Sequence, residues 1–350
     1  MWRHIYIFII VTLFAPAAAA QEPGPGAPST NSPAASPFEL ARAVNRVRLR
    51  NERARSDRKI DLTGTWQLLG VPDGYFGQCS HCVAGLFRHE LDGAPGAEVL
   101  LKLGVSHGVF RYLVFKGEAR GRWRLLGHVD HDFNRYADSR HRVARAAGRD
   151  WLVVWGQEGS GTGYSLYGET WYEAGAEGLR PVLSYPAEGH VAPWPSGVGR
   201  AFKARPVADG GGAVAVAYTV SYERLDYLKD KYAKLYRNRH RLRYVWDEGR
   251  RRFVYDAARS DISEAEIAAV ADLQEEPGEG QQVGGAVFFS AGDAWKRGGY
   301  DVFLKYNLKS LLGLARRGKA ADAEWLRELL KDCAETPERE ALERALGGRR

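Results

Sequence analysis

The sequence predicts a mainly antiparallel β protein, of sandwich, barrel or propeller-like architecture, that ends in an α-helical hairpin. Two observations favour this fold class. Between residues 60 and 258, short apolar or alternating runs recur, each bounded by Gly, Asp or Pro, as in antiparallel sheets. From residue 259 to residue 350, apolar residues recur at helical spacing instead.

The first twenty residues have the three parts of a secretory signal peptide. Met1–His4 is a basic tip, Ile5–Phe14 is an apolar run, and Ala18 and Ala20 provide a small-x-small end. The apolar run is shorter than the roughly 20 residues that span a bilayer. The sequence therefore predicts a periplasmic or secreted protein whose mature chain has no transmembrane segment.

A linker and a basic helix are expected next. Residues 21–37 are mostly Pro, Gly, Ala and Ser, and we expect them to form a disordered linker because they carry almost no large apolar side chain. A helix is predicted over residues 38–59, where apolar residues recur every third position and Arg42, Arg46, Arg50 and Arg53 line another side.

Nine runs in the β region have the length and composition of strands. They are Thr65–Leu69, Glu98–Leu103, Val109–Phe115, Trp123–His128, Trp151–Trp155, Tyr164–Tyr172, Leu179–Tyr185, Gly199–Arg205 and Ala213–Tyr222. A hairpin is predicted over Tyr244–Asp256. Between them, Leu225, Leu228, Tyr232 and Leu235 fit a short helix, with a long charged loop as the alternative.

The C-terminal region contains three helical patterns. They cover Tyr300–Arg316, Ala321–Cys333 and a short segment after Pro337, and Gly318 separates the first two. Cys333 lies on an apolar helix face, which is typical of a small buried hydrophobe.

The formal net charge of +7 is concentrated in two segments. Residues 39–59 carry eight basic and three acidic side chains, and residues 224–252 carry eleven and four. This pattern suits attraction to an anionic envelope polymer or to acidic lipid headgroups, although two solvated arginine-rich faces are the simpler interpretation, which we favour. Nucleic acid is an unlikely partner, because the chain shows no helix-turn-helix, RRM or zinc-finger pattern.

Cys79 and Cys82 form a C-x-x-C motif. In an oxidising compartment we favour a structural disulfide, with a redox dithiol or half of a zinc site as alternatives. Completing a zinc site would require His81 or His89 and a distant ligand.

Other candidate site residues fall into two groups. The first is a short polar cluster made of His128, Asp130, His131 and Asp132. His131 and Asp132 could form a general acid/base pair, whereas a polar turn is the simpler interpretation. The second group is aromatic, and either stacks on carbohydrate or packs in the core: Trp155, Tyr164, Tyr167 and Trp171.

The run Glu90–Leu100 (ELDGAPGAEVL) resembles the aspartate-glycine loop and following strand of FG-GAP and VCBS-like β-repeats. The resemblance extends loosely to Trp194, which is under half of the chain. It implies a propeller-like fold and a calcium loop using Glu90 and Asp92, and His128 and Asp130 are further metal candidates. Ala94 and Pro95 stand where the family has further ligands. The tail is similar to that of uncharacterised secreted bacterial proteins, and this resemblance gives no indication of an activity.

These patterns predict an exported, non-catalytic binding or scaffolding protein of the bacterial cell envelope. Its expected partner is an unknown envelope protein or an anionic envelope polymer. The basis is that no nucleophile, base and oxyanion-binding set is recognisable in the sequence. An envelope hydrolase, or a metal or thiol-redox module built on Cys79 and Cys82, is the alternative. No cofactor is predicted, and calcium or zinc is left open.

Overall fold

The computed structural model describes residues 36–61, 78–79, 82–91, 93–94, 96, 98–106, 109–132, 139–161, 164–175, 177–191, 198–210, 212–226, 231–264, 300–331 and 333–347. Within these ranges the protein is mainly antiparallel β with C-terminal helices, so the predicted fold class is confirmed. The expected signal peptide, most of the linker and the run Thr65–Leu69 lie outside the described residues.

The first described element is a capped helix, α1 (Pro37–Ala54). The Ser36 hydroxyl accepts a hydrogen bond from the Phe38 N–H, and Glu39 completes the capping box. Compared with the predicted range 38–59, the observed helix starts one residue earlier and ends five residues earlier, at Ala54. Arg55, the residue after it, adopts a left-handed conformation. The exposed side of α1 carries Arg42, Arg46, Arg50 and Arg53.

Two strands, β1 (Ile60–Asp61) and β2 (Gln78–Cys79), form a short pair. A four-stranded sheet follows, in sequence order: β3 (Val83–His89), β4 (Glu98–Ser106), β5 (Val109–Gly117) and β6 (Trp123–Asp132).

The larger sheet has eight strands, and each pairs with its sequence neighbour. They are β7 (Ser139–Ala146), β8 (Arg149–Gly161), β9 (Tyr164–Gly175), β10 (Gly178–Val191), β11 (Val198–Ala208), β12 (Ala213–Asp226), β13 (Lys231–Asp247) and β14 (Arg252–Tyr255). The edges β7 and β14 do not pair with each other, so this sheet stays open.

The large sheet is curled, so that inner faces at its two ends meet. The Trp151 ring of β8 lies 4.8 Å from that of Trp246 in β13 and 5.5 Å from that of Phe253 in β14, measured between centroids. These rings belong to the main hydrophobic core, and Trp151 is fully buried. The inner faces of β8 and β13 therefore face each other across the core.

Within the described ranges, three C-terminal helices contribute to the core: α2 (Tyr300–Arg317), α3 (Ala320–Lys331) and α4 (Pro337–Gly347). Leu304 and Leu311 of α2 are buried in the main core. Asn238 on the inner face of β13 donates to Asn307 at 2.7 Å and accepts from Ser310 at 2.7 Å, which fixes α2 on that strand. No helix in the described ranges is long and apolar enough to cross a membrane.

The remaining layers stack on the outer face of the large sheet. One cluster, which includes Leu100, Val114 and Leu152, lies between the four-stranded sheet and the strands β8–β10. Another, which includes Leu40 and Leu113, lies between α1 and the far face of the four-stranded sheet. The order of layers is thus α1, small sheet, the β8 side of the large sheet, main core, and the β13 side of the large sheet.

The segment predicted as a short helix or charged loop, between Tyr222 and Arg243, is instead strand, because β12 runs to Asp226 and β13 starts at Lys231. The leucine spacing that suggested a helix is overridden by a continuous antiparallel register with β12. From Tyr236 onward, alternate residues face the core and solvent.

Candidate functional site

Five basic side chains lie together on the outer face of β11, β12 and β13. The register sets Arg205, Ala217 and Arg241 side by side, and Lys203, Thr219 and Arg239 in the next row. Arg237 follows along β13, opposite Ser221. Residues in register share a face, and all five basic side chains are exposed. We call this surface the basic trough.

The trough has basic walls and a floor of small side chains. Its walls are Lys203 and Arg205 on β11 and Arg237, Arg239 and Arg241 on β13. Ala217, Thr219 and Ser221 of β12 form the floor. Because neighbouring strands are about 4.8 Å apart, the walls stand roughly 10 Å apart, and successive arginines on β13 repeat every ~7 Å. A chain-shaped ligand fits this outline.

A neighbouring arginine has a structural role instead. Arg243 is buried, and its guanidinium donates to Asp209 at 2.6 Å and to Asp256 at 2.5 Å. The hydrogen bond from Arg243 holds the pKa of Asp209 below its ordinary value, and the same bond raises the pKa of Arg243. The charge of Arg243 is therefore compensated inside the fold.

The trough residues are less compensated. Arg241 also binds Asp209, and Lys203 lies 3.5 Å from Glu188 in an exposed pair, which holds little energy. Arg205, Arg237 and Arg239 form no ion pair with another described side chain. Since unpaired like charges on one face raise its potential, this surface attracts anions.

The histidines and acids predicted as candidates are strand residues, so the polar-turn interpretation of residues 128–132 is wrong. His131 in β6 points between the sheets, and its ring covers Gly156, where a Cβ would lie 2.3 Å from Cε1. Asp130 lies 3.5 Å from Arg111. The side chain of Asp132 lies outside the described residues, but consecutive strand residues face opposite ways, which does not favour an acid/base pair with His131.

Two further histidines, His89 and His141, pack against each other between the two sheets. His141 of β7 lies against Phe87 and His89 of β3, with ring centroids 4.3 and 5.9 Å apart. Burial, followed by the charges of His89 and Lys102, lowers the pKa of His141 to about 4. Burial also lowers the pKa of His89 and of His128. His141 is therefore neutral at neutral pH.

The aromatic candidates are engaged with one another. Trp155 and Tyr167 stack with centroids 4.4 Å apart, and the Arg140 guanidinium lies 4.9 Å from the Trp155 centroid. Trp155 is therefore already engaged by an aromatic ring and by a cation. Trp171 is buried and donates to Glu169 at 3.0 Å. The side chain of Tyr164 lies outside the described residues.

The metal and cysteine candidates are only partly described. Glu90 is exposed, and Asp92 lies outside the described residues. In the described ranges no three His, Cys, Asp or Glu side chains gather as a metal site. Cys333 is a buried free thiol, whereas Cys82 is buried and is not among the free cysteines. Because the Cys79 side chain is not described, their disulfide stays a prediction.

Comparisons with family models, curated proteins and solved structures gave no match. The FG-GAP and VCBS-like resemblance therefore stays a prediction.

Sequence reasoning identified the charge of residues 224–252 but missed the trough itself. A signal was present, because Arg237, Arg239, Arg241 and Arg243 recur at the period of two that is typical of a strand. The contribution of Lys203 and Arg205 depends on strand register, which the sequence pattern does not specify.

Proposed function

We propose that this protein is an exported, non-catalytic binding protein that holds a phosphate-bearing polymer of the cell envelope in the basic trough. The observation that carries the proposal is the cross-strand register that places five exposed basic side chains on the two walls of the trough, one on β11 and one on β13. Export rests on the signal-peptide pattern of residues 1–20.

Charge and shape both favour a linear polyanion. Arginine guanidinium groups form forked hydrogen bonds with phosphate oxygens, and four of the five trough residues are arginines. Val207, which follows Arg205 on the same face of β11, is exposed, but a single valine offers little apolar surface to insert into a bilayer. A narrow floor between two charged walls suits a chain more than a flat lipid surface.

Calorimetric titration with short-chain sodium polyphosphate tests the proposal. Because α1 has its own arginine row, the starting protein carries Arg46→Gln, Arg50→Gln and Arg53→Gln. The trough variant adds Arg205→Gln, Arg237→Gln and Arg239→Gln. At about 1 kcal/mol per basic residue near an anionic surface, the affinity should fall roughly 100-fold. The slope of log K against log salt should become shallower by about 2–3.

The matched control removes the same charge elsewhere, through Arg122→Gln, Arg250→Gln and Arg259→Gln, all of which are exposed. It should bind polyphosphate within a fewfold of the starting protein. Equal losses in both variants would mean that only net charge matters, and would overturn the proposal. Binding to vesicles of anionic phospholipid without binding to polyphosphate would assign the face to a membrane instead.

The Cys79–Cys82 disulfide belongs to the same proposal, as a structural link in an oxidising compartment. Thiol titration of the denatured, unreduced chain should detect one thiol, that of Cys333. Three thiols would contradict the disulfide.

A further inference from the structure

We infer that the protein carries a second polyanion site on α1 and that it bridges two polymer chains. This inference rests on the proposed function of the trough and extends it from holding one chain to linking two. It is carried by the arginine row of α1 and by the position of that row relative to the trough.

The arginine row of α1 is exposed along the whole helix. Arg42, Arg46, Arg50 and Arg53 follow one another at intervals of three or four residues, so they share a helix face. The opposite face, with Leu40, Ala41 and Val44, is buried against the small sheet. All four arginines therefore point away from the protein.

This row also has free charge. Arg48, which lies off the row, is paired with Glu52 at 2.6 Å. Arg46, Arg50 and Arg53 form no ion pair with the described side chains. Their spacing of roughly 6 Å along the helix is close to the ~7 Å repeat of the trough arginines, so both surfaces suit the same class of polymer.

The helix is held rigidly on its sheet. The Asn45 side chain donates to the Ala84 carbonyl at 2.8 Å and accepts from the Ala84 N–H at 3.0 Å. Ring contact between Phe38 and Trp123 adds a second attachment, with centroids 5.6 Å apart. The row is therefore presented in a fixed orientation.

The two basic surfaces face opposite ways. The inner faces of β8 and β13 meet at Trp151 and Trp246, so their outer faces point in opposite directions. The outer face of β13 is a wall of the trough. The outer face of β8 carries the small sheet, and α1 lies beyond it. Two sheet-packing distances of about 10 Å each, together with a helix layer, separate the surfaces.

A bead assay tests bridging with long-chain polyphosphate as the probe. Two bead populations with different fluorophores are each coated with polyphosphate, and mixed-colour pairs are counted by flow cytometry after the protein is added. The wild-type chain should join the colours at low protein concentration and stop doing so when protein saturates both beads.

Two variants of the otherwise wild-type chain are compared. The trough-only variant carries Arg205→Gln, Arg237→Gln and Arg239→Gln, and the helix variant carries Arg46→Gln, Arg50→Gln and Arg53→Gln. Each should still bind single beads but should reduce mixed pairs to the level seen without protein. The control variant Arg122→Gln, Arg250→Gln and Arg259→Gln should bridge as the wild type does. Circular dichroism should show unchanged structure, because glutamine and arginine have similar helix propensity.

Normal bridging by the helix variant would overturn the inference, including when sedimentation shows a dimer that joins beads through two troughs. If the helix variant binds no polyphosphate at all, the proposed function of the trough fails. If both variants bind polyphosphate and the wild type does not bridge, the inference of bridging fails while the proposed function of the trough stands.

Discussion

Substituting Gly127 with alanine should push the two sheets apart, because an added Cβ at this glycine would meet the backbone of the facing sheet. Gly127 lies in β6, and a Cβ there would be 2.6 Å from the Leu179 backbone nitrogen of β10 and 3.1 Å from its Cγ. Since ordinary contact begins near 3.4 Å, one strand must move by most of an ångström. Overpacking of this kind costs about 1–3 kcal/mol. Removing a strand glycine returns roughly 0.5–1 kcal/mol.

We therefore expect Gly127→Ala to lower the free energy of unfolding by about 1–2 kcal/mol. Urea denaturation measures this as a fall in midpoint of roughly 0.5–1 M at an unchanged m value. Gly175→Ala is the matched control, because a Cβ at this strand position meets nothing within 4 Å; it should be as stable as the wild type or slightly more so. A midpoint for Gly127→Ala at or above that of the control would refute the packing of β6 on β10.

Three other perturbations follow from the contacts between layers. His141 has a pKa of about 4 in the fold and 6.5 ordinarily, so as pH falls the unfolded chain takes up this proton first, and stability should fall between pH 6.5 and 4. The urea midpoint should depend less steeply on pH in His141→Gln than in the wild type; an equal dependence would contradict the assignment. Lys116 lies 3.2 Å from Glu98, which is fully buried. Lys116→Met leaves the Glu98 charge without this cation and should lower the free energy of unfolding by about 3–5 kcal/mol. Adding Glu98→Gln to that variant should recover part of the loss, as measured by chemical denaturation. Asn45→Ala should cost about 1–3 kcal/mol by leaving partly buried backbone groups unpaired, and hydrogen exchange should rise in α1 before it rises elsewhere.

The sequence was most informative where side-chain chemistry and burial agree. The runs around Val109–Phe115 and Trp151–Trp155 combine branched and aromatic residues with buried positions, and both are strands. The C-terminal helices were equally readable, because Leu304 and Leu311 repeat at helical spacing in α2 and face the same core as Leu326 of α3.

Prediction failed where charge obscured the pattern. The apolar residues from Leu225 to Leu235 repeat at three or four residues, whereas the arginines that follow in β13 repeat at two. Pairing with β12 decides the outcome, and pairing depends on residues elsewhere in the chain. For the same reason His131 gave no sign that it would cover Gly156, since that contact depends on how two separate sheets pack.

The curl of the large sheet was also beyond sequence reasoning. Trp151 and Phe253 are about a hundred residues apart, yet their rings meet in the main core. No local periodicity reports such a contact, so the opposed orientation of the two basic surfaces could be seen only in three dimensions.

The strand order of the large sheet has a consequence for how the chain acquires its structure. Every strand from β7 to β14 finds its partner immediately before or after itself in sequence. The loops to be closed are short, so each pairing costs little chain entropy. Sheets that pair strands distant in sequence fold more slowly, because they must close longer loops first. Assembly can advance hairpin by hairpin in one direction, and the late encounter of β8 with β13 and β14 is left as the slow, long-range step.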